Sequence, residues 1–273
     1  MVYDIIQTMD KVMLLVRDEL DRVNSKISAL EIKPEQIKKS MEDFLSSGSK
    51  RIRTLVTVLY LKANGCNNIS DDSFDIITAG EIIHNASLLH DDVLDRAKIR
   101  RGKTSFCEEY TPHISILAGD YLLSIATEKL LGINNNEILQ IFLKCTQKMC
   151  TAEINQFFLR GKLPAIDEYI NICEGKTACL FEAIIKSCSI VEKINVSADF
   201  AMNFGILFQL KNDLTKTSEE LDRQNKIFTP KDILGIEKTM DLIDNYYVRL
   251  RGDIGKLPEN IYKKGLEELL KNL

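Results

Sequence analysis

Residues 81–101 read EIIHNASLLHDDVLDRAKIRR, an apolar helical repeat that ends in three carboxylates, Asp91, Asp92 and Asp95. Because Asp91 and Asp95 are four residues apart, they share one helix face, where like charges cost about 0.2–0.5 kcal/mol. A hard divalent cation offsets that cost, and Mg²⁺ typically takes one or two carboxylates besides water and phosphate. The stretch therefore predicts a helix that ends at a magnesium site for a phosphorylated substrate. A solvated helix end is the alternative for an isolated acidic triplet.

The remaining sequence repeats apolar residues at spacings of three and four, and strict alternation over strand lengths is hard to find. Breaks are predicted near residues 32–34, 65–68, 100–102, 132–136, 161–164, 195, 223–230 and 252–258. Ser70, which precedes two acids, is a predicted helix N-cap. The pattern predicts an all-α fold of about ten or more helices that pack antiparallel in one bundle. No linker or tandem repeat is seen, so residues 1–273 are expected to form a single domain.

Composition and charge exclude several classes of protein. The 36 basic and 40 acidic side chains give a formal net charge of −4 without a long run of one sign, so no nucleic-acid binding is expected. Seven cysteines without metal-type spacing predict reduced thiols in the core of a cytoplasmic protein. The charged N-terminal segment does not resemble a signal peptide, and no apolar window predicts a membrane span. Peripheral contact with a membrane surface stays open.

Two basic clusters accompany the acidic stretch. They are Lys50, Arg51 and Arg53 in SSGSKRIRT, and Arg100 and Arg101 after the aspartates. Guanidinium and ammonium groups beside carboxylates are what a metal-bridged diphosphate requires, although each cluster alone is also typical of a solvated surface. His84 lies seven residues before Asp91, at nearly the same azimuth and about 10 Å along the helix. This placement suits a hydrogen bond to a second diphosphate.

Several segments, in order, resemble the trans-polyprenyl diphosphate synthases, which are all-helical enzymes that elongate isoprenoid chains. The segments are Gly48–Arg53, His84–Gly102, Leu117–Leu123 (LAGDYLL), Lys176-Thr177, Gln209 in FGILFQLKND, and LPENIYKKGLEEL at 257–269. They cover nearly the whole chain, and the last one is similar to long-chain members. The resemblance implies a bundle of the isoprenoid synthase type around a central apolar cavity. It also implies a Mg²⁺-dependent prenyltransferase that ionises an allylic diphosphate, condenses it with isopentenyl diphosphate and eliminates a proton.

The resemblance implies a role for each matching residue. Asp91 and Asp95 would ligate Mg²⁺ with support from Asp92, and Asp213 would hold a further ion, so roughly two or three ions are expected. The allylic diphosphate would be bound by Arg100, Lys176, Thr177 and Gln209. Isopentenyl diphosphate would be bound by Lys50, Arg53, His84 and Arg101. The implied catalytic residues are Lys176 and the three aspartates of the first motif.

Product length is expected to depend on the residues beneath the ionisation site. Ser87 lies one helical turn below Asp91 with Ala86 beside it, where short-chain members carry aromatic side chains. Their small size favours a long product of the octaprenyl or heptaprenyl type, although small residues also allow close helix packing. The Ala86→Phe substitution is then expected to shorten the product.

The second aspartate motif departs from the family pattern. Three acids are expected, but the chain has Asn212, Asp213 and Lys216, with Glu219 and Glu220 nearby. Lys216 could itself neutralise diphosphate charge, so we expect an active enzyme with a modified second metal site. Whether this motif binds Mg²⁺ stays open.

A non-catalytic or regulatory subunit of a heteromeric synthase is the alternative function. The altered second motif favours it, as does Ser49 in place of a family glycine. The intact first motif, Lys176 and Gln209 favour catalysis, since a scaffold has no physical need to keep them. A terpene cyclase would not need the basic residues of the isopentenyl site. The resemblance implies a homodimer, while the primer, the product length and the downstream quinone or glycan-carrier pathway stay open.

Overall fold

The computed structural model describes residues 9–47, 50–197, 199–215 and 222–273. The main helices are α1 Arg17–Ser28, α2 Lys38–Ser46, α3 Ile52–Ala63, α4 Asp71–Leu94, α5 Phe106–Glu109, α6 Pro112–Gly132, α7 Asn136–Leu159, α8 Ile166–Cys173, α9 Cys179–Glu192, α10 Phe200–Asp213, α11 Pro230–Leu234, α12 Ile236–Gly255 and α13 Ile261–Lys271. A π-helical turn, Glu174–Ala178, joins α8 to α9, and strands β1 Ile99–Arg100 and β2 Lys103–Thr104 form a short hairpin. The all-α prediction is confirmed.

Helix α4 is the central element of the bundle. It packs along α6 and also against α9, α1 and α3. Every residue from Ile76 to Ile83 is buried, so this part of the helix has no side that faces solvent. Its buried apolar residues are Phe74, Ile76, Ile77, Ala79, Ile82, Ile83, Ala86 and Leu89. One apolar core continues from Val12 to Leu270 through the described residues.

The predicted N-cap at Ser70 is confirmed and fixes where α4 begins. The Ser70 hydroxyl accepts a hydrogen bond from Ser73 N at 3.3 Å. Glu192, at the end of α9, accepts from Ser70 N at 2.9 Å and from the Ser73 hydroxyl at 2.6 Å. Because α4 has 24 residues, its last turn lies about 36 Å from this cap. Asp91 and Asp95 are therefore carried by a helix that is anchored at its far end.

The predicted break at residues 100–102 contains a β-hairpin turn that the apolar pattern did not indicate. Ile99 pairs with Thr104 and Arg100 with Lys103. Arg101 (φ +52°) and Gly102 (φ +77°) both have left-handed backbone conformations. Two consecutive positive φ angles suit the right-handed twist of a two-residue hairpin. The hairpin is too short to produce a strand-like alternation in the sequence.

The last predicted break begins later than the sequence suggests. Helix α12 continues through Gly252 and ends at Gly255. A Cβ atom at Gly252 would meet no other atom within 4 Å, so this glycine marks neither a turn nor a close approach. Leu257 precedes Pro258, and a residue before proline is driven away from the helical conformation. The proline, and not the glycine, therefore explains the break.

The cysteines and the apolar helices bear on two further predictions. All seven cysteines are free thiols and five of them are buried, as expected for core residues. Within the described ranges, no helix combines the length and the hydrophobicity needed to cross a membrane. The extent of the single domain, residues 1–273, stays a prediction.

Candidate active site

A cavity of about 1080 Å³ lies between α3, α4, α7, α10 and the π-helical turn. It brings together most of the residues singled out from the sequence: Lys50, Arg53, His84, Ser87, Asp91, Asp95, Arg100, Arg101, Lys176, Thr177, Gln209 and Asp213. Apolar side chains of α4, α6 and α7 also line it, namely Leu88, Leu123, Met149 and Ile154. Charged groups and an apolar wall therefore share one space.

Basic residues form one part of the wall, and we call them the cationic cluster. Its members are Lys50, Arg51, Arg53, His84, Arg100 and Arg101. Burial lowers the pKa of His84 well below its usual value, and Arg53 and Arg101 lower it further. His84 is therefore neutral near pH 7 and can donate one ring N–H without adding charge. The arginines supply the positive charge.

Main-chain carbonyls hold two arginines of the cationic cluster. Arg51 Nη2 lies 2.8 Å from the Leu45 carbonyl and Arg101 Nη1 lies 3.0 Å from the Ser47 carbonyl. Both residues adopt left-handed backbone conformations, with φ of +45° and +52°, at a cost of about 1–3 kcal/mol each. Glu81 Oε2 lies 3.3 Å from Arg51 Nη1. Glu81 therefore compensates the charge of Arg51, whereas the carbonyl holds the Arg101 guanidinium without neutralising it, so Arg101 keeps its positive charge for an anion.

Two predicted residues lie off the cavity wall. Asp92 is fully buried, and its Oδ1 accepts hydrogen bonds from Arg100 Nε at 2.7 Å and Nη2 at 2.5 Å. These bonds orient Arg100. Successive helical residues point about 100° apart, so Asp92 faces the core while Asp91 faces the cavity. Ala86 is also fully buried, whereas Ser87 lines the cavity. Of the two, Ser87 is the residue that reaches the cavity.

Acidic residues form another part of the wall, and we call them the acidic cluster. Its members are Asp91, Asp95, Glu153, Asp213 and Asp222. Asp95 Oδ1 is paired with Arg160 Nη2 at 2.8 Å, while Arg160 Nη1 lies 3.3 Å from the Leu94 carbonyl at the end of α4. Arg160 thus holds the end of the helix and one oxygen of Asp95 together.

Lys176 projects from the π-helical turn towards the acidic cluster. Its Nζ lies 2.6 Å from Glu153 Oε1 and 3.1 Å from Gln156 Oε1. Burial lowers the pKa of Lys176, but Asp91 and Glu153 raise it by more, so the net shift is upward and the ammonium stays charged. π-Helical turns are rare and often lie at functional sites.

Small residues let neighbouring helices approach this turn closely. A Cβ atom at Gly205 of α10 would lie 2.4 Å from the Cα atom of Ala178, and one at Gly175 would lie 3.0 Å from the Lys148 carbonyl of α7. Real Cβ atoms do not come that close to backbone atoms, so glycine is required at Gly205. The approach brings Gln209, one turn after Gly205, within 2.7 Å of the Thr177 hydroxyl.

Asp213 accepts hydrogen bonds on both of its carboxylate oxygens. Gln209 Nε2 donates to Oδ1 over 2.7 Å, and the Tyr169 hydroxyl donates to Oδ2. Burial raises the pKa of Asp213 to about 6, against the lowering effect of these two bonds. Asp222 lines the cavity as well, and burial and Asp213 raise its pKa to about 7.

The acidic cluster fits a divalent cation that takes few protein ligands. In the described part of the chain, no three His, Cys, Asp or Glu side chains stand close enough to hold a metal ion on their own. Asp91 and Asp95 offer oxygens on one face of α4, and burial raises the pKa of Asp91 to about 7. A nearby cation would stabilise this disfavoured charge. Mg²⁺ takes water and substrate phosphate as its other ligands, so two carboxylates suffice.

Sequence reasoning missed Glu153, Gln156, Arg160 and Asp222. The first three lie on α7 and at its end, at spacings of three and four residues, and so form one polar stripe. That periodicity was a usable signal. No sequence pattern indicated Asp222, because its position at the cavity depends on tertiary packing and not on local helix spacing. Gly48, Ser49, Lys216, Glu219 and Glu220 lie outside the described residues.

Comparison with known protein families adds a decisive observation. Residues 34–263, most of the chain, match the family described as Polyprenyl synthetase. The chain belongs to the polyprenyl synthetase family. The resemblance inferred from the motifs is thereby confirmed.

Two curated relatives are similar to this chain in sequence, and a solved structure is similar to it in fold. A short chain isoprenyl diphosphate synthase of Methanocaldococcus jannaschii is 27% identical over 74% of this chain and 64% of its own length. Solanesyl diphosphate synthase 2, chloroplastic, of Arabidopsis thaliana is 28% identical over 95% of this chain and 70% of its own length. The crystal structure of a Caulobacter crescentus polyprenyl synthase, complexed with calcium and isoprenyl diphosphate, superposes with a TM-score of 0.82 at 24% identity, covering 97% and 96% of the two chains. The fold is therefore that of the polyprenyl synthases.

Proposed function

We propose that the chain is a magnesium-dependent trans-prenyltransferase. It condenses isopentenyl diphosphate with an allylic diphosphate to build an all-trans, long-chain polyprenyl diphosphate. The observation that carries the proposal is the cavity in which the cationic cluster, the acidic cluster and an apolar wall meet. Two anionic head groups and one hydrocarbon chain are the ligands that match these three surfaces. The named relatives are consistent with this substrate class.

The allylic diphosphate is bound at the acidic cluster. Lys176 and Gln209, together with Arg100 of the cationic cluster, bind its oxygens, and Asp91 and Asp95 would hold the Mg²⁺ ion. When bound, Mg²⁺ would neutralise the charge that develops on the departing diphosphate. A unit charge such as Lys176 at 4 Å from a developing anion is worth about 4 kcal/mol at an effective dielectric near 20. No side-chain nucleophile is needed, because the leaving group departs as a stabilised anion.

Isopentenyl diphosphate is bound at the cationic cluster. Lys50, Arg53 and Arg101 pair with its phosphate oxygens, and neutral His84 donates a hydrogen bond. Its double bond then attacks the allylic cation, and a proton leaves. The growing chain lies along the apolar wall formed by Leu88, Leu123, Met149 and Ile154 and excludes water from the cation.

Incubation of the purified chain with Mg²⁺, isopentenyl diphosphate and allylic primers of several lengths tests the proposal. Chromatography of the dephosphorylated products is expected to show a ladder that ends at one long-chain product. Ser87→Phe is expected to shorten that product, because Ser87 lines the cavity and Ala86 does not. Absence of any product with every primer, from the chain alone, contradicts catalysis.

A non-catalytic subunit of a heteromeric synthase is the second candidate. The observation that favours it is the second motif, where Asn212 replaces an acid and Asp213 is engaged by Tyr169 and Gln209. The same assay separates the candidates. Product that forms only after a second, active chain is added supports the subunit.

A homodimer in the cytoplasm is the assembly and location that we propose. Apolar side chains are exposed along α6 and α7, namely Leu117, Leu131, Leu143, Ile154, Phe157 and Phe158. A surface of this kind is usually covered by a partner. Light scattering of the purified chain measures its mass. Release of a lipid-like product would occur where the chain touches a membrane surface.

A further inference from the structure

Four polar side chains form a continuous hydrogen-bond chain at the cavity wall. Tyr169 of α8 donates to Asp213 Oδ2, Gln209 Nε2 donates to Asp213 Oδ1 over 2.7 Å, and Thr177 Oγ1 donates to Gln209 Oε1 over 2.7 Å. The hydrogen-bond chain links α8, the π-helical turn and α10. Tyr169, Thr177 and Asp213 are each no more than 8% exposed. Water therefore competes little for these bonds.

Asp213 determines which way the Gln209 amide points. An ionised carboxylate only accepts hydrogen bonds, so the nitrogen of the amide must face Asp213 and its oxygen must face Thr177. The second N–H of Gln209 is not used by Asp213, and Gln209 lines the cavity. That N–H is a donor for an anionic oxygen. A reversed amide would present its carbonyl there and repel the anion.

We propose that Asp213 is a positioning residue for Gln209 and not a metal ligand, an inference that rests on the proposed prenyltransferase function. Both of its oxygens already accept a hydrogen bond from a side chain of the cavity wall. Asn212, beside it, is an amide and brings no second charge to attract a cation. On the α10 side of the site, the Gln209 N–H therefore binds the diphosphate, while Asp91 and Asp95 would bind the metal ion.

A double-mutant cycle tests whether Asp213 acts through Gln209. Asp213→Asn keeps the shape of the side chain and removes the acceptor-only character that orients the amide. We expect it to raise the KM for the allylic diphosphate about tenfold, the effect of one hydrogen bond, and to leave the KM for isopentenyl diphosphate unchanged. In the Gln209→Ala background, Asp213→Asn should add nothing, because no amide remains to be oriented.

Counting bound Mn²⁺ by electron paramagnetic resonance, with saturating inorganic pyrophosphate, tests the second half of the proposal. Wild type and Asp213→Asn are expected to bind the same number of ions per chain. Asp253→Asn is the matched control, because Asp253 lies on α12, is also 8% exposed and does not line the cavity. Loss of a bound ion in Asp213→Asn, or additive effects in the cycle, overturns the proposal.

Two further outcomes keep the test decisive. If Asp213→Asn melts below the assay temperature, Asp213→Ser replaces it, since a hydroxyl group also lacks the acceptor-only character that orients the amide. An unchanged allylic KM in folded Asp213→Ser overturns the proposal. A wild-type chain that makes no product and binds no Mn²⁺ with pyrophosphate contradicts the proposed function, and this inference with it. If the wild type is active but the Asp213 variants behave otherwise than expected, the inference fails and the proposed function stands.

Discussion

The cationic cluster and the acidic cluster share one cavity but are held by different means. In the cationic cluster, Arg51 and Arg101 are fixed by main-chain carbonyls and by left-handed backbone conformations. In the acidic cluster, opposite charges are paired, Lys176 with Glu153 at 2.6 Å and Asp95 with Arg160 at 2.8 Å. Glu81 and Asp92 compensate Arg51 and Arg100, but no ion pair within the described residues involves Arg53 or Arg101, so the cationic cluster keeps net positive charge before a ligand arrives. In the acidic cluster Lys176 and Asp95 are already paired, so these two groups must exchange partners when a diphosphate binds.

The difference shows how one site can hold two chemically similar head groups. A fixed positive surface suits a diphosphate that stays intact, since it needs binding and orientation only. A compensated surface suits a diphosphate that departs, because its cations and carboxylates can rearrange as charge develops. This comparison predicts that the two clusters respond differently when single charges are removed.

Removing Asp91 is expected to have the largest effect. The Asp91→Asn variant should lower kcat by about 10²–10³-fold, because a charge that holds the catalytic cation is lost. The melting temperature of the substrate-free chain should not fall, since burial already disfavours the ionised carboxyl and raises its pKa to about 7. Product assays and thermal melts measure the two effects. The control is Asp241→Asn, at an exposed position on α12, and equal losses in both variants would contradict the role of Asp91.

Removing the charge of Glu81 should disorganise the cationic cluster. Glu81 is 1% exposed and accepts hydrogen bonds from Arg51 and from both N and Oγ1 of Thr54. Glu81→Gln leaves the Arg51 guanidinium without its buried counter-charge, and breaking such a pair costs about 3–5 kcal/mol of stability. Steady-state kinetics at a temperature where the variant is folded should show a KM for isopentenyl diphosphate raised about tenfold. A rise in the allylic KM alone would contradict the assignment of the two clusters.

The parts of the site that local patterns encode could be predicted from the sequence. Asp91 and Asp95 share a face because of their four-residue spacing, and Ser70 could be recognised as the N-cap of α4 because two acids follow it. The basic residues at positions 50–53 could be recognised from the composition of this short segment alone. These predictions depend on residues close in sequence, where helix geometry fixes the arrangement.

Other parts of the site depend on packing that no local pattern encodes. The π-helical turn that carries Lys176 inserts a residue into a continuous helix, and its fit depends on Gly205 of α10 and on α7. Asp92 belongs to the motif by resemblance, yet it faces the core and binds Arg100. Arg160 meets Asp95 across 65 residues of sequence. Such pairings arise only when the helices are assembled.

The smallest expected effect is a gain in substrate binding rather than a loss, and it tests the contrast between the two clusters most directly. Glu153 competes with a bound diphosphate for Lys176, because their ion pair at 2.6 Å already satisfies the ammonium. Glu153 is 22% exposed, so the pair is worth no more than about 1 kcal/mol after solvent screening. Glu153→Gln should therefore lower the KM for the allylic diphosphate by about threefold. Steady-state kinetics measure this change, with exposed Glu137→Gln on α7 as the control.

The sign of this effect separates two views of the acidic cluster. If Glu153 only compensates the charge of Lys176, its removal frees the ammonium for the substrate and the allylic KM falls. If Glu153 instead aims Lys176 at the substrate, the freed ammonium turns towards Asp91 and the allylic KM rises. Gln156, which also contacts Lys176 at 3.1 Å, remains in the variant and keeps the side chain near its place. A rise in KM would therefore mean that the acidic cluster is as rigid as the cationic cluster, and the contrast between them would disappear.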